Sequence, residues 1–553
     1  MPATCAVRPA HQHRRAVCLG IILAVLGIGS NHAHEGEEGS SQKLGSVHFE
    51  TSCNSEAQAL FDQGVAGLHS FWFSESRRLF SGALDKDGAC AMGHWGLAMI
   101  SWGNPLASPP SPKALADGLA SIQKAVAIGA KTPREQDYIN AIGVIYRDVE
   151  KTDYRARTLA YEQAMEGIYK HHAEDQEAAL FYALALNITA LPSDKTYANQ
   201  LKAVAILEKV AAQQPDHPGV LHYLIHSLDY PPLASRALAA AQRYAQIAPE
   251  APHAQHMPAH TYSMLGEWQE SIVSNQAAVA VARAYTAKTK DAFPAHIAAS
   301  HYSDFMIYAY LQLAQDRAAK ALLDESIAYQ KAQDLTKAPI YVHTGLAAIP
   351  ARYVLERQAW AEASSLRVDP SSWSYAQAIT RFTRALGAAR SGNVAQARDE
   401  VDKLRALREE AAQSKQDYWE GQIVVFQLAA SAWLEHGQGR SEEALKLMRS
   451  AADLEDASEK HVAMENRLLS MREQLGELLL ELKQPAQALK EFEASFLEMP
   501  NRFRGTYGAA KAAELAGDKQ QARAYFAKLI TIAKNADTER SEMHEAKLFL
   551  AQN

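Results

Sequence analysis

Small residues return at one fixed spacing along this chain. Ala203, Ala237 and Ser271 are separated by two steps of 34, and the same step joins Ala363 to Ala397 and Ala488 to Ala522. A period of that length makes each unit a single supersecondary element, too small to bury its own apolar face, so successive units must stack on one another. Long runs of Ala, Leu, Glu and Gln, with Gly 29 and Pro 21 in 553 residues, favour helix within each unit. The expected unit is a helix–turn–helix pair whose small residues let neighbouring helices approach closely.

Flanking positions sharpen the pattern. Gly476, Ala488, Phe492 and Pro500 occupy the small, small, aromatic and proline places of one unit, and Ala510, Gly517, Ala522 and Phe526 follow in the next. Gly64 with Phe80 and Ala83, and Gly266 with Trp268, repeat the theme. This is the signature of tetratricopeptide repeats (TPR), and it predicts an all-α, right-handed superhelix, an α-solenoid whose first helices line a concave groove. Longer steps (Ser271 to Ala319 to Ala363, and Ala397 to Ala444 to Ala488) imply lengthened helices or loops. The Pro- and Ser-rich stretch Arg367 to Tyr375 is the best internal boundary. It divides an N-terminal array, 55–370, from a C-terminal array, 371–553, after a flexible lead-in at 34–54.

Residues 1–33 read as a signal peptide. Arg14 and Arg15 precede the apolar stretch Ala16 to Gly29, which is too short to span a bilayer, and cleavage after Ala33 is expected. No later segment has eighteen uninterrupted apolar residues, so the mature chain is expected to have no transmembrane segment and to be periplasmic or secreted. Two cysteines, Cys53 and Cys90, remain after that cut, and a pair in an oxidising compartment is expected to form a disulfide. Lys+Arg 56 against Asp+Glu 63 gives a formal charge of −7, which disfavours a nucleic-acid partner.

Nine of the 21 histidines fall between His217 and His343. His222 and His226 stand four apart, as do His256 and His260, a spacing that places both imidazoles on one helix face. With Ala237 and Ser271 at position 20 of their repeats, both pairs fall at positions 5 and 9, and His253 falls at position 2. The next unit places His301, Asp304 and Tyr308 at positions 2, 5 and 9. In tetratricopeptide repeats those positions face the groove. Two uses compete. One is a polar groove that holds an extended protein or peptide partner. The other is a metal site for Zn²⁺, Cu²⁺ or Fe²⁺, built from His222, His226, His256, His260 and His301 with Asp304 as a carboxylate ligand. His296 and His343 stand near enough in sequence to contribute. In the C-terminal array, Ser470, Glu473 and Glu477, then Arg504, Tyr507 and Lys511, hold the equivalent positions and read as a solvated helix face.

No phosphate-binding glycine loop, HExxH or GxSxG motif occurs in the sequence. The phrases SCNSEAQALFDQGVAGLHSFWFSESRRLF, CAMGHWGLAMISWGNPL, HYLIHSLDY, HMPAHTYSMLGEW, EDASEKH and PNRFRGTYGAAKAAELAGD resemble a widespread family of exported bacterial tetratricopeptide proteins. The resemblance implies this fold and an extracytoplasmic address, and it carries no reaction. Relatives have a Pro-Val-Thr-Pro-Gly segment after the Glu-Lys-His phrase, whereas VAMEN follows His461 here. The leading expectation is an exported scaffold with a partner in its histidine-lined groove; the alternative is a metal-binding protein or metal-dependent hydrolytic or oxidative enzyme at the same place.

Overall fold

Every small residue that sets the repeat register is shut away from solvent. Ala203, Ala237, Ser271, Ala319, Ala363, Ala397, Ala444, Ala488 and Ala522 are all fully buried at helix–helix contacts. The computed structural model describes residues 43–552 apart from positions 337, 371, 462, 463 and 466; the expected signal peptide (1–33) and the start of the lead-in (34–42) lie outside them. Among the described residues there are 27 α-helices and no strand. Successive helices pack mainly on their sequence neighbours, which is the arrangement of a tetratricopeptide superhelix.

The glycines explain how closely the pairs approach. A Cβ at Gly476 would lie 2.8 Å from the Phe492 ring, and one at Gly64 would lie 2.7 Å from Phe80. In both units the aromatic ring of the second helix therefore rests on the bare backbone of the first.

Cys53 and Cys90 are joined, with Cα atoms 4.9 Å apart, and tie the entry of the helix Ser55–His69 to that of Ala91–Trp102. The described part of the lead-in, from Lys43, is packed. Phe49 is fully buried against Phe61, Trp95 and Tyr138, and the Ser46 N–H donates to the Asp216 carbonyl at 3.1 Å. Burial of the aromatic ring anchors this irregular stretch. One apolar core holds buried residues from both expected arrays, from Ile307 to Ala512.

The superhelix also closes on itself. Trp268 Nε1 donates to the Asn501 carbonyl at 2.8 Å, the Glu459 N–H donates to the Pro192 carbonyl at 2.9 Å, and Lys460 Nζ reaches Asp229 at 2.7 Å. The segment after Asp456 thus lies across the inner surface of the histidine-bearing repeats.

Candidate metal centre

That closure changes the expected groove. His222, His226, His256 and His260 are 0–2% exposed, and only His253 and His301 are half-buried. The sequence places these imidazoles on the inner face of their helices, but the inner face is not open. Phe71 packs on the rings of His222, His226 and His253, and Phe305 packs on those of His256, His260 and His301.

Local chemistry sets the backbone that carries them. The helix Pro218–Leu228 starts with proline in its first turn, where no N–H is needed, and the His217 side chain accepts from the Gly219 N–H. The second pair straddles a break: helix Pro252–His256 ends at Met257, and Pro258, with no N–H to donate, opens helix Pro258–Leu265. His301 sits in a π-helical turn, Ala298–Tyr302, just before the helix Ser303–Gln312.

Two triads result, His222–His226–His253 and His256–His260–His301, each with ligand atoms within 4.8 Å of one another. They adjoin: the rings of His226 and His260 are 5.7 Å apart, and those of His253 and His256 are 5.8 Å apart.

Hydrogen bonds orient the rings. His222 Nδ1 donates to the His69 carbonyl at 2.6 Å, and His260 Nδ1 donates to the Asp229 carboxylate at 2.8 Å. His256 Nδ1 donates to Asn275 Oδ1 at 2.6 Å, and Asn275 in turn donates from Nδ2 to the Ser271 carbonyl. A neutral imidazole carries one N–H, so these bonds assign the proton of each ring to Nδ1 and leave Nε2 as a lone pair. Yet His256 Nε2 and His260 Nε2 stand 3.1 Å apart, and His222 Nε2 stands 3.1 Å from His253 Nε2. An ion held at ~2.1 Å by two imidazoles sets their nitrogens roughly 3–4 Å apart, which matches this spacing. His226 is the extreme case, since neither of its buried ring nitrogens has a hydrogen-bond partner among the described residues.

Electrostatics keep the rings neutral. Burial drives His222 down to about 3, and burial together with the neighbouring imidazoles holds His226, His253, His256 and His301 well below the ordinary range. Burial also lowers His260, although Asp229 works the other way. Burial acts to raise Asp229, but Lys460 and His260 hold its carboxyl below the usual value.

Asp304 and Tyr308 were expected beside the histidines and are engaged elsewhere. Asp304 accepts from Arg352 Nε at 2.7 Å, and the Tyr308 hydroxyl meets Arg502. His296 bonds the Tyr329 hydroxyl at 2.7 Å, and His343 belongs to neither triad. Sequence reasoning missed the outer partners Asp229, Asn275 and the His69 carbonyl, although Asp229, directly after HYLIHSL, and His69, in AGLHSFW, stood within phrases already marked.

A third cluster, His69–Glu177–His217, was also missed. Its bonds are complete. His69 Nε2 and His217 Nε2 meet the two Glu177 oxygens at 2.7 and 2.9 Å, while His69 Nδ1 bonds the Tyr223 hydroxyl. Burial works to raise Glu177, but the two facing imidazoles hold it below the carboxylate range. This cluster supports the site by fixing the carbonyl that orients His222.

A cavity of about 70 Å³ opens onto the triads, lined by His226, His253, His260 and His301 together with Phe71 and Tyr302. Phe73, Asn104, Phe293 and Tyr341 also border a wider cleft whose far walls carry Trp102, Trp373 and Trp419.

No family model and no curated protein matches the sequence. Among solved structures, the chain is similar to Naa15/Naa10 bound to HypK-THB, at 13% identity over 90% of this chain and 73% of that one, with a TM-score of 0.22. A human IFIT1 dimer with m7Gppp-AAAA is 13% identical over 88% of this chain and 96% of that one (TM-score 0.38), and an IFIT1 monomeric mutant with Gppp-AAAA is 13% identical over 87% and 98% (TM-score 0.39). Overlaps this loose lend no residue role to the present chain.

Proposed function

We propose that this chain is an exported protein that binds transition-metal ions at the two adjoining histidine triads. The observation that carries the reading is the approach of His256 Nε2 to His260 Nε2 at 3.1 Å while both Nδ1 protons are committed to Asn275 and Asp229. Two lone pairs repel at that distance, and an ion between them turns the repulsion into two bonds. Anchoring of Nδ1–H by a carboxylate or amide is the usual support of a ligating imidazole. The orphaned nitrogens of His226 point the same way, because an unpaired buried polar group costs about 1–3 kcal/mol unless a ligand satisfies it. Imidazole suits Zn, Cu, Fe and Ni, and three protein ligands leave a further position for a ligand from the cavity. Export is supported by the Cys53–Cys90 bridge.

The alternative, a scaffold for a protein or peptide, draws its support from the wider cleft with Trp102, Trp373 and Trp419 rather than from the buried histidines. The deciding experiment is elemental analysis of protein purified from the periplasmic fraction without a metal-affinity tag, beside the His222→Ala/His256→Ala double variant. Near-stoichiometric metal that disappears in the variant is expected. Protein without metal, and with no thermal shift on addition of Zn²⁺, Cu²⁺, Fe²⁺ or, under anaerobic conditions, Cu⁺, would sink the metal reading.

A further inference from the structure

The charge around the triads limits which ion they hold. All six ligands are neutral imidazoles. Among the described residues, the one carboxylate hydrogen-bonded to a triad ring is Asp229, and Lys460 shares the same oxygen. Glu177 is occupied by His69 and His217, and Asp304 by Arg352. Ions in this centre therefore face one another with little compensating negative charge, across triads whose nearest rings are 5.7 Å apart. Coulomb repulsion scales with the product of the charges, so two divalent ions repel about fourfold more strongly than two monovalent ones at the same spacing. Burial sharpens the penalty, because little water reaches the site to screen it. Of the ions that imidazole favours, copper alone has a stable monovalent state.

The cavity limits the ligand. About 70 Å³ is open to the centres of water-sized molecules, and at roughly 10–15 Å³ of such space for one water the cavity accommodates a few small molecules. Phe71, Phe293, Ile297 and Tyr302 make its remaining walls largely apolar, which disfavours an anion and admits an uncharged diatomic. We propose that the two triads together hold a pair of monovalent copper ions and that the adjoining cavity delivers an uncharged diatomic molecule, of the size of dioxygen, to them. This rests on the metal-binding reading and adds the ion, its charge and its ligand.

The test uses full-length protein under anaerobic conditions with carbon monoxide as the probe, since it binds cuprous copper and not zinc. Offered Cu⁺ and Zn²⁺ at equal concentrations, the protein should retain two copper ions per chain and exclude zinc. Carbon monoxide should then give an infrared band that moves on substitution with ¹³CO. Ile297→Trp, which fills the cavity without altering a histidine, should weaken that band at least tenfold while two copper ions remain. If that side chain proves too large for folding, Ile297→Phe serves, with copper content as the check. Retention of zinc over copper, copper without a carbon monoxide band, or a band untouched by a folded filling variant would each overturn the proposal. Failure to retain either metal would sink the metal-binding reading itself, so the two failures are distinguishable.

Discussion

Two buried polar clusters stand in this superhelix, and they are built in opposite ways. Around Arg502 opposite charges meet, although Glu356 Oε2 is left without a hydrogen bond among the described residues: Nε and Nη2 lie 2.7 and 3.0 Å from the two Glu473 oxygens, and Nη2 lies 2.8 Å from Glu356 Oε1. Arg352 with Asp304, and Arg540 with Asp316, repeat the arrangement. Among the histidines, by contrast, lone pairs face lone pairs, and among the described residues neither His226 nitrogen has a hydrogen-bond partner. A cluster that satisfies itself stabilises a particular packing, whereas one that leaves its acceptors pointed at each other is complete only with something added. The position of Glu473 and Arg504, both buried, also corrects the expectation of a solvated helix face in the C-terminal array.

The sharpest way to break this contrast is Arg502→Met. It strands the Glu473 and Glu356 carboxylates without their cation, and removal of one partner from a buried ion pair costs about 3–5 kcal/mol. Denaturant unfolding should show that loss, while metal bound per folded molecule stays unchanged. Loss of metal as well would mean that the two clusters are one cooperative unit. A second test uses acid and base. Glu455 is pushed up to about 7, chiefly by burial, although Arg467 at 3.9 Å works against it. Its folded value exceeds its unfolded one, near 4.5, so the stability it contributes is present below pH 4.5 and fades as pH rises to about 7. Glu455→Gln should flatten that part of the stability profile; a profile identical to the parent would refute the assignment.

How much of this was legible in the sequence follows from the same contrast. The period of 34 dictates which backbone meets which, so the buried register from Ala203 to Ala522 could be read without coordinates. The spacing of His222 with His226 and of His256 with His260 likewise fixes a shared face. What repeat phase does not contain is the chain that later folds over that face. Lys460 arrives from 231 residues away in sequence to share Asp229, and Arg502 arrives from 194 away to claim Tyr308. Those two arrivals turned an expected open groove into a closed centre, and with Arg352 they removed Asp304 and Tyr308 from it.

Asp229 and His226 sharpen the comparison from within the candidate metal centre. Asp229→Asn keeps an oxygen for His260 Nδ1–H but removes the charge that strengthens the ring as a ligand, and loss of such an outer partner costs 10–100-fold in metal affinity as a general magnitude. Competition with a chelator of known strength should read a drop of about that size; an unchanged affinity would place Asp229 with the self-satisfied clusters. Lys460 loses its charged partner in the same variant, so affinity is to be compared at temperatures where both proteins are folded.

His226→Leu has the smallest effect on stability and the most informative sign. In metal-free protein the imidazole carries two buried nitrogens that nothing satisfies, so an apolar side chain of similar size removes a desolvation penalty and should stabilise the fold by about 1 kcal/mol. With metal supplied, the order should reverse: the parent gains ligand-linked stability, about 2.7 kcal/mol at a free concentration one hundred times Kd, and the variant gains less because one triad has lost a ligand. Thermal unfolding of both proteins, with and without metal, reads the crossing directly. If leucine destabilises the metal-free protein, His226 is a packed core residue whose nitrogens are satisfied in solution, and the difference between the two clusters loses its strongest support.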